Sequence, residues 1–295
     1  MSRDGPSSSG HDPAAGRPLP DSGRLPTTLP DEASSPRSRP DTVRRSVLLG
    51  ALAAASAAAI GALRWRDGGL SYRDLPGLEP FRELVSDGGI SAGSLAFAGL
   101  QDERSGDAAD LEDRMAEVRA DPCAALFGGP SEAATVPLAY FSDFNCPFCR
   151  VLEGELDAVL ADDAGVRLVR HELPLLGGAS LSAAKAVLAA DLQGGYEALK
   201  ARLLRAGLIT DEPYLRAVAG PLGLDADRLL ADMESEAVAD RLLTSRALGR
   251  IFGFVGTPAL VVGRTVIIGS VSARTIRQVI RDERATPARA CAGDP

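Results

Sequence analysis

The chain has 295 residues, of which 45% are hydrophobic and 24% are charged, a composition typical of a folded protein with a sizeable core. From residue 67 onward it has 34 acidic and 23 basic residues, a net charge of −11. An acidic surface repels phosphates, which argues against nucleic acid as a partner. Two lysines and two histidines leave little material for a Schiff-base enzyme or a histidine-rich metal site. Four cysteines are too few for a chain of this length to be stabilised mainly by disulfide bonds.

The first 43 residues have little capacity to fold. Eight of the chain's 20 prolines lie there, and the segment has hardly any apolar runs. Such a segment buries too little apolar surface to offset the loss of conformational entropy on folding. We therefore predict a disordered tail over residues 1–43.

Residues 44–63 have the pattern of an export segment. Arg44 and Arg45 precede an uncharged, alanine-rich stretch, and Arg64 and Arg66 follow it. A basic start and an apolar centre are typical of signal peptides, and the paired arginines resemble a twin-arginine signal. The stretch has about the minimum length of a membrane-spanning helix, so a cleaved signal and an uncleaved membrane anchor both remain open. Either one predicts an exported protein, periplasmic or anchored to the membrane facing the periplasm.

The rest of the chain predicts an N-terminal extension, one mixed domain and a short tail. The extension (64–130) is rich in glycine, and short helices are expected at 79–85 and 111–119. The domain (131–285) has a helical insertion at about 175–252. Its other predicted elements are a strand at 137–142, a helix after Cys146, a strand at 166–169, a hairpin of strands 259–262 and 265–268, and a helix after Ser272. This order is that of an α/β, thioredoxin-like fold with inserted helices, and the tail (286–295) is expected to be loose.

Cys146 and Cys149 carry the main chemical signal, because this Cys-x-x-Cys pair lies between the end of a strand and the start of a helix. Backbone N–H groups and the positive end of the helix dipole favour a thiolate on Cys146, and we expect a pKa of roughly 5–7. Pro147 suits the first helical turn. Cys149 lies one turn later, is expected to be less exposed, and can close a disulfide with Cys146. This arrangement makes Cys146 the nucleophile and Cys149 the resolving thiol.

Two other roles for the pair, a zinc half-site and a structural disulfide, are less well supported. Zinc usually takes four nitrogen or sulfur ligands, and the sequence has no second cysteine pair. His171 fits a strand at the edge of the core. A disulfide that closes so short a loop contributes little stability. We therefore expect redox chemistry that needs no cofactor and no metal.

Gly256-Thr257-Pro258 directly precedes the predicted strand at 259–262. A proline at the start of a strand often has a purely structural role. A cis bond at Pro258 would instead place the Thr257 backbone against the two cysteines, where an extended substrate chain could pair with it as an added strand. Thr257 and Pro258 are therefore candidates for a substrate groove.

Three segments, in this order, resemble the DsbA family of thiol–disulfide oxidoreductases: 141–150 (FSDFNCPFCR), 172–177 (ELPLLG) and 253–260 (GFVGTPAL). The resemblance implies an exported enzyme that makes, breaks or reshuffles disulfides in other proteins. It also implies a cis bond before Pro258 and a lid formed by the helical insertion.

The sequence departs from the family pattern at two positions beside the cysteines. The best-known members have a histidine before the second cysteine, where this chain has Phe148. Members also commonly bury a glutamate six residues before the first cysteine, where this chain has Tyr140. Both departures bear on the strength of oxidation, and Thr257 also occurs among relatives that reduce or isomerise.

Cys123 and Cys291 lie on either side of the predicted domain. In an oxidising compartment they can form a structural disulfide that ties both extensions together. The alternative is two independent thiols, one buried and one in a mobile tail.

The sequence therefore predicts a cell-envelope thiol–disulfide oxidoreductase. Its expected substrates are exported proteins that contain cysteine, and it would exchange electrons with a membrane or envelope redox partner. A reductase or isomerase of the same fold is one alternative. A non-catalytic binding or chaperone module is another, because a fold alone does not prove activity, although the intact cysteine pair argues against it.

Replacing both Arg44 and Arg45 with lysine should retain a reporter fusion in the cytoplasm, because a twin-arginine signal is read through its paired arginines. Cell fractionation of the fusion and of the unmodified segment measures this. Normal export of the double variant would contradict the twin-arginine route and leave general export standing.

Overall fold

The computed structural model describes residues 69–85, 105–129, 135–207, 209–286 and Cys291. All of them belong to one of the chain's two compact units, Asp67–Pro295. The predicted tail (1–43) and export segment (44–63) lie outside the described residues. Of the helices in the described ranges, none has both the length and the apolar character needed to cross a membrane.

The described residues form a six-stranded mixed sheet with helices on both faces. The strands are β1 (Ser71–Asp74), β2 (Arg82–Val85), β3 (Val136–Ser142), β4 (Val166–Glu172), β5 (Ala259–Val262) and β6 (Thr265–Ile268). Their order in the sheet is β1-β2-β6-β5-β3-β4. β2 with β6 and β3 with β4 are parallel pairs, and the other neighbours are antiparallel.

The helices fall into a framework set and an inserted set. The framework helices are α1 (Ser105–Ala120), α2 (Pro122–Phe127), α3 (Pro147–Asp162) and α9 (Ala273–Ala285). The inserted helices, between β4 and β5, are α4 (Gly178–Asp191), α5 (Tyr196–Ala206), α6 (Glu212–Ala219), α7 (Ala226–Asp232) and α8 (Glu236–Ile251). This is the thioredoxin-like α/β fold with a helical insertion that the sequence predicts.

β3 lies between β5 and β4 in the sheet, and all seven of its residues are buried. Its side chains alternate between the two faces, as the period of a strand requires. Leu138 and Tyr140 pack with α3 and α9, whereas Ala139 and Phe141 pack with α1, α2 and α8. A strand covered on both faces reads as a continuous apolar run, which explains its clear signal in the sequence.

The inserted helices have an apolar core of their own, formed by residues such as Leu188, Leu199, Leu203 and Leu215. Phe144, in the loop that follows β3, is buried in this core. The insertion is therefore anchored to the loop that carries the cysteines.

The helix predicted at residues 79–85 is wrong, because residues 82–85 form strand β2. Arg82 and Glu83 instead pair with Thr265 and Val266 of β6 in parallel register. Pairing with the edge of β6 therefore determines that residues 82–85 form a strand. The local sequence does not show this distant partner.

The predicted helix at 111–119 is part of the longer α1, and the predicted strand at 166–169 extends to Glu172. His171 is buried in this extension of β4, stacked on Phe141 with a ring separation of 4.6 Å. One of its ring nitrogens lies 2.9 Å from the Leu126 carbonyl of α2. The strand continues through polar residues because these side chains have partners inside the protein.

Glu283 of α9 joins β2 and β6 through a buried carboxylate. It accepts hydrogen bonds from Arg82 at 2.8 Å, from the Thr265 hydroxyl at 2.6 Å and from the Arg264 backbone N–H at 3.2 Å. Arg82 is itself largely buried. Removing the carboxylate would leave that guanidinium without its charge partner.

Glu283→Ala should lower the free energy of unfolding by about 3–5 kcal/mol, the usual cost of leaving one member of a buried ion pair unpaired. Urea denaturation of the purified chain measures this. Asp162→Ala is the matched control, because Asp162 pairs with Arg277 at the exposed surface and should cost no more than about 1 kcal/mol. Equal losses in the two variants would contradict the role given to Glu283.

Candidate active site

The segment between β3 and α3 places Cys146 at the amino end of a helix. β3 ends at Ser142, Pro147 begins α3, and Cys146 is the residue that caps it, with an extended backbone (φ −79°, ψ 114°). The Cys146 sulfur accepts a hydrogen bond from the Cys149 N–H at 3.4 Å. Proline suits this first turn because its missing N–H would have no partner inside the helix. The sulfur therefore lies where a helix presents unpaired N–H groups.

The surroundings of Cys146 favour its thiolate. Its pKa falls from the usual 9.0 to about 6, and the largest cause is a hydrogen bond from the Cys149 side chain. Burial opposes this change, whereas the Thr257 side chain and the N–H groups of Cys149 and Phe148 add to it. The Thr257 carbonyl, 3.1 Å from the sulfur, can accept only from the protonated thiol and so works against ionisation. The pKa lies in the range expected from the sequence, although the main donor is a thiol rather than the backbone.

Cys149 lies one turn into α3 and keeps its own proton, which its thiol donates in a hydrogen bond to the Cys146 sulfur. Both residues are free thiols and both are 4% exposed, although Cys149 is the more deeply buried of the two, as predicted. The two sulfurs also differ in charge. The hydrogen bond between the Cys149 thiol and Cys146 is the main cause that raises the pKa of Cys149 far above its usual value, and burial is the second cause.

The turn before β5 brings Thr257 and Pro258 beside Cys146. β5 runs antiparallel to β3 with Ala259 opposite Phe141, so the residues before β5 lie next to those after β3. The peptide bond between Thr257 and Pro258 is cis. The Thr257 carbonyl oxygen therefore lies 3.1 Å from the Cys146 sulfur.

A buried carboxylate, that of Asp143, joins the loop before Cys146 to the start of the insertion. One oxygen accepts from the Asn145 N–H at 2.7 Å and from the Ser180 hydroxyl at 2.6 Å. The other accepts from the N–H groups of Leu175 and Leu176 at 2.6 and 2.9 Å. The Asn145 side chain also donates to Ser180 at 3.0 Å. Sequence reasoning gave Asp143 no role of its own, and the signal it missed is an acidic residue directly after a strand whose residues are all buried.

Phe148 and Tyr140, the two departures from the family pattern, have opposite environments. Phe148 is 53% exposed on the first turn of α3, so its ring faces solvent beside Cys146. Tyr140 is fully buried, and its hydroxyl donates to the Cys149 carbonyl at 3.0 Å. Burial raises the pKa of Tyr140 well above its usual value, so it stays protonated and cannot act as a base.

Cys123 of α2 is joined to Cys291 by a disulfide, with the two Cα atoms 5.1 Å apart. Cys291 packs against the apolar cluster that lies between the sheet and helices α1, α2 and α8. This pair is part of the framework rather than of the segment that carries Cys146. Within the described ranges, no three His, Cys, Asp or Glu side chains come close enough together to hold a metal ion.

The segment from β3 to α9 corresponds to a known protein family. The family description "DSBA-like thioredoxin domain" matches residues 138–281. The chain belongs to the DSBA-like thioredoxin family. The family resemblance and the fold predicted from the sequence are thereby confirmed.

Three solved structures resemble this DSBA-like chain. A thioredoxin-like oxidoreductase from Silicibacter pomeroyi DSS-3 is 33% identical, with 55% of this chain and 98% of that chain covered and a TM-score of 0.48. The thiol–disulfide exchange protein alpha-DsbA2 from Wolbachia pipientis is 21% identical, with 61% and 98% covered and a TM-score of 0.46. The catalytic domain of Proteus mirabilis ScsC is 22% identical, with 59% and 98% covered and a TM-score of 0.48.

A curated relative is much longer than this DSBA-like chain. The Na(+)/H(+) antiporter NhaA of Herminiimonas arsenicoxydans is 31% identical over 159 residues, which are 53% of this chain and 25% of the antiporter. The chain therefore spans about a quarter of the length of that relative.

Phe148→His should lower the pKa of Cys146 below about 6 and raise the reduction potential of the Cys146–Cys149 pair. A histidine there can add a positive charge and a hydrogen-bond donor beside the thiolate, and neither acts on the oxidised form. Ultraviolet absorbance of the thiolate against pH measures the first change, and equilibration with glutathione measures the second. A pKa at or below 4 in the unmodified chain, unchanged by the substitution, would contradict this account.

Proposed function

We propose that the protein is a thiol–disulfide oxidoreductase of cysteine-containing proteins, with Cys146 as nucleophile and Cys149 as resolving thiol. The observation that carries this proposal is a pair of free thiols one turn apart at the start of α3, in which the Cys146 sulfur caps the helix and accepts the Cys149 N–H. This position favours a thiolate on Cys146 and a thiol on Cys149. Thiol–disulfide exchange proceeds through a thiolate. The Cys146 thiolate can therefore attack a substrate disulfide, whereas the Cys149 thiol must lose its proton before it can attack the mixed disulfide.

In the oxidising direction the enzyme begins with a Cys146–Cys149 disulfide. A substrate thiolate attacks the Cys146 sulfur, the enzyme disulfide breaks, and Cys149 leaves as a thiolate that takes up a proton. A second substrate thiolate then attacks the substrate sulfur of the mixed disulfide, so the substrate becomes oxidised and Cys146 leaves as its stabilised thiolate. A low pKa makes Cys146 a good leaving group, which favours release of the oxidised substrate.

An extended substrate segment is the form of chain that fits this site. Thr257 lies beside Cys146 just before β5, and a backbone at such a position can pair with a substrate as an added strand. Phe148 and Val151 expose apolar side chains on the first turns of α3, as do Leu176 and Leu181 near the start of the insertion. These features support unfolded or flexible protein segments as substrates.

The direction of exchange separates an oxidant from a reductase or isomerase of the same fold. A Cys146 pKa of about 6 lies above the ~3.5 of the strongest oxidants, which supports a moderate oxidant. The reduction potential of the cysteine pair distinguishes the two. A value towards −120 mV supports oxidation, and a value towards −270 mV supports reduction.

Export to the cell envelope is part of the proposal. The basic and apolar pattern of residues 44–66 supports a signal or an anchor. Disulfide formation needs an oxidising compartment and a partner that removes electrons from the reduced pair. We therefore propose a periplasmic or membrane-anchored enzyme with an envelope redox partner.

A non-catalytic binding or chaperone module predicts no turnover of protein disulfides. Insulin reduction by the purified chain tests that alternative directly. Catalysed precipitation of the insulin B chain supports the enzyme, and its absence over a wide range of enzyme concentrations supports the binding module.

Cys146→Ser should abolish turnover, whereas Cys149→Ser should accumulate mixed disulfides with substrate proteins. Cys146 is the thiolate that attacks, and without Cys149 the adduct cannot resolve. Non-reducing gels after acid trapping measure the adducts, with the Cys146→Ser/Cys149→Ser double variant as the control. Adducts formed by Cys146→Ser and none by Cys149→Ser would reverse the assignment.

A further inference from the structure

Cys149 is one of the residues that line a small cavity. Tyr140, Cys149, Glu153, Lys200 and Leu204 line it, and its volume of about 20 Å³ is enough for about one water molecule. Arg150, which is exposed, also lines the cavity, so the cavity reaches the protein surface. Proton transfer between Cys149 and solvent therefore has a short route.

Lys200 brings a buried positive charge to this cavity. Its side chain is only 8% exposed, and its ammonium donates to Glu153 at 2.8 Å. Glu153 also accepts from Arg170 at 2.7 Å. Arg170 also pairs with Glu197 at 2.7 Å, but that carboxylate is 68% exposed and screened by solvent. Buried Glu172 also interacts with Lys200, and burial raises the pKa of Glu172 to about 7, so below that pH it is largely neutral. The buried part of the cluster therefore holds two cations, Lys200 and Arg170, and one charged carboxylate, that of Glu153, in a region where water screens charge poorly.

The charged and titratable groups around the cavity come from four parts of the fold: Tyr140 of β3, Asp143 of the next loop, Arg150 and Glu153 of α3, and Lys200 of α5. Tyr140 is held neutral by burial. Both carboxylate oxygens of Asp143 are occupied by four hydrogen-bond donors. The charge of Arg150 is screened by solvent at the rim. Lys200 is therefore the buried cation that lines the cavity with Cys149.

We propose that the Lys200 ammonium stabilises the thiolate that forms on Cys149 when this thiol resolves the mixed disulfide, an inference that rests on the function proposed above. Lys200 belongs to α5, so the helical insertion supplies a positioned charge to the chemistry of the thioredoxin-like framework. Sequence reasoning noted Lys200 only as one of two lysines.

The chemical step is the attack of Cys149 on Cys146. The Cys149 thiol loses its proton to water in the cavity, its sulfur bonds to the Cys146 sulfur, and the bond between Cys146 and the substrate breaks. The substrate leaves as a thiolate, so the enzyme pair is oxidised by two electrons and the substrate disulfide is reduced. In the mixed disulfide the Cys146 sulfur carries no charge and no longer accepts a hydrogen bond from the Cys149 thiol as a thiolate would. The hydrogen bond to the Cys146 thiolate and the charge of that thiolate, two causes of the raised Cys149 pKa, are then absent. Burial of Cys149 still raises its pKa, and the positive charge of Lys200 opposes this effect.

The test uses the reduced full chain and the disulfide reagent DTNB. Attack by Cys146 gives a mixed disulfide, and resolution by Cys149 then proceeds at a rate independent of DTNB concentration. Rapid acid quenching and mass spectrometry of the fragment with Cys146 and Cys149 measure both species over time. Lys200→Met removes the charge, and Lys185→Met is the matched control because Lys185 pairs with Glu234 near the surface.

Lys200→Met should slow resolution at least about threefold below pH 7, with attack by Cys146 changed less than about twofold. Each unit by which the thiol pKa rises slows such an attack by about this factor, since part of the lost thiolate is offset by greater nucleophilicity. The pH at which resolution reaches half its maximal rate should rise as well. Lys185→Met should change neither phase. Equal slowing of both phases by Lys200→Met, or none, would overturn the proposal.

Glu153→Gln separates a charge effect from a structural one and serves if Lys200→Met fails to fold. It leaves the ammonium without its counter-ion, so a charge effect predicts that resolution is as fast as in the unmodified chain or faster. A structural ion pair predicts slower resolution, which would overturn the proposal. If DTNB forms no adduct at Cys146 in the unmodified chain, the proposed function fails instead.

Discussion

The buried carboxylate of Asp143 is the constraint on which the active-site segment depends. Its four donors come from the loop before Cys146, the loop after β4 and the first turn of α4. A buried carboxylate is stable only when its oxygens are satisfied, so these three segments must keep their relative positions. Phe144, buried in the core of the insertion, strengthens the same connection. The position of Cys146 is therefore set jointly by the sheet and the inserted helices.

The division of charge between the two cysteines follows from this geometry. Cys146 occupies the cap, where N–H groups and the Cys149 thiol stabilise its thiolate, whereas Cys149 is buried behind it. Thiolate stabilisation exists only in the reduced cysteine pair, because a disulfide carries no charge. Each interaction that lowers the Cys146 pKa therefore favours the reduced pair and makes the disulfide a stronger oxidant. The exposed Phe148 contributes no charge, which limits this effect.

Local sequence patterns predicted the elements whose partners are close in the chain. The hairpin strands β5 and β6 have the predicted bounds, because their β-branched residues flank a turn at Gly263, whose φ of 55° suits glycine. Ser272 caps α9 as predicted, with its side chain accepting the Thr275 N–H. The cysteine pair was found for the same reason, since its chemistry depends on a strand end and a helix start that are adjacent in the sequence.

Features that depend on distant partners were missed. β2 was predicted as a helix because its pairing strand, β6, lies far along the chain. β4 was predicted too short because the partners of Arg170 and His171 come from α2, α3 and α5. Lys200 had no visible role because Glu153, 47 residues earlier, supplies its charge partner. Polar residues that are buried by tertiary contacts look, in the sequence alone, like surface residues.

The disulfide between Cys123 and Cys291 spans 168 positions of the sequence and encloses the whole segment from β3 to α9 in one covalent ring. During synthesis Cys291 follows every strand and helix of that segment, so the ring can close only after the last of them has been translated. A single cut by a protease anywhere between the two cysteines would open the backbone without separating the fragments. The described chain is thus closed around Cys146 and Cys149 by a bond of the same chemical kind that these two cysteines are proposed to exchange.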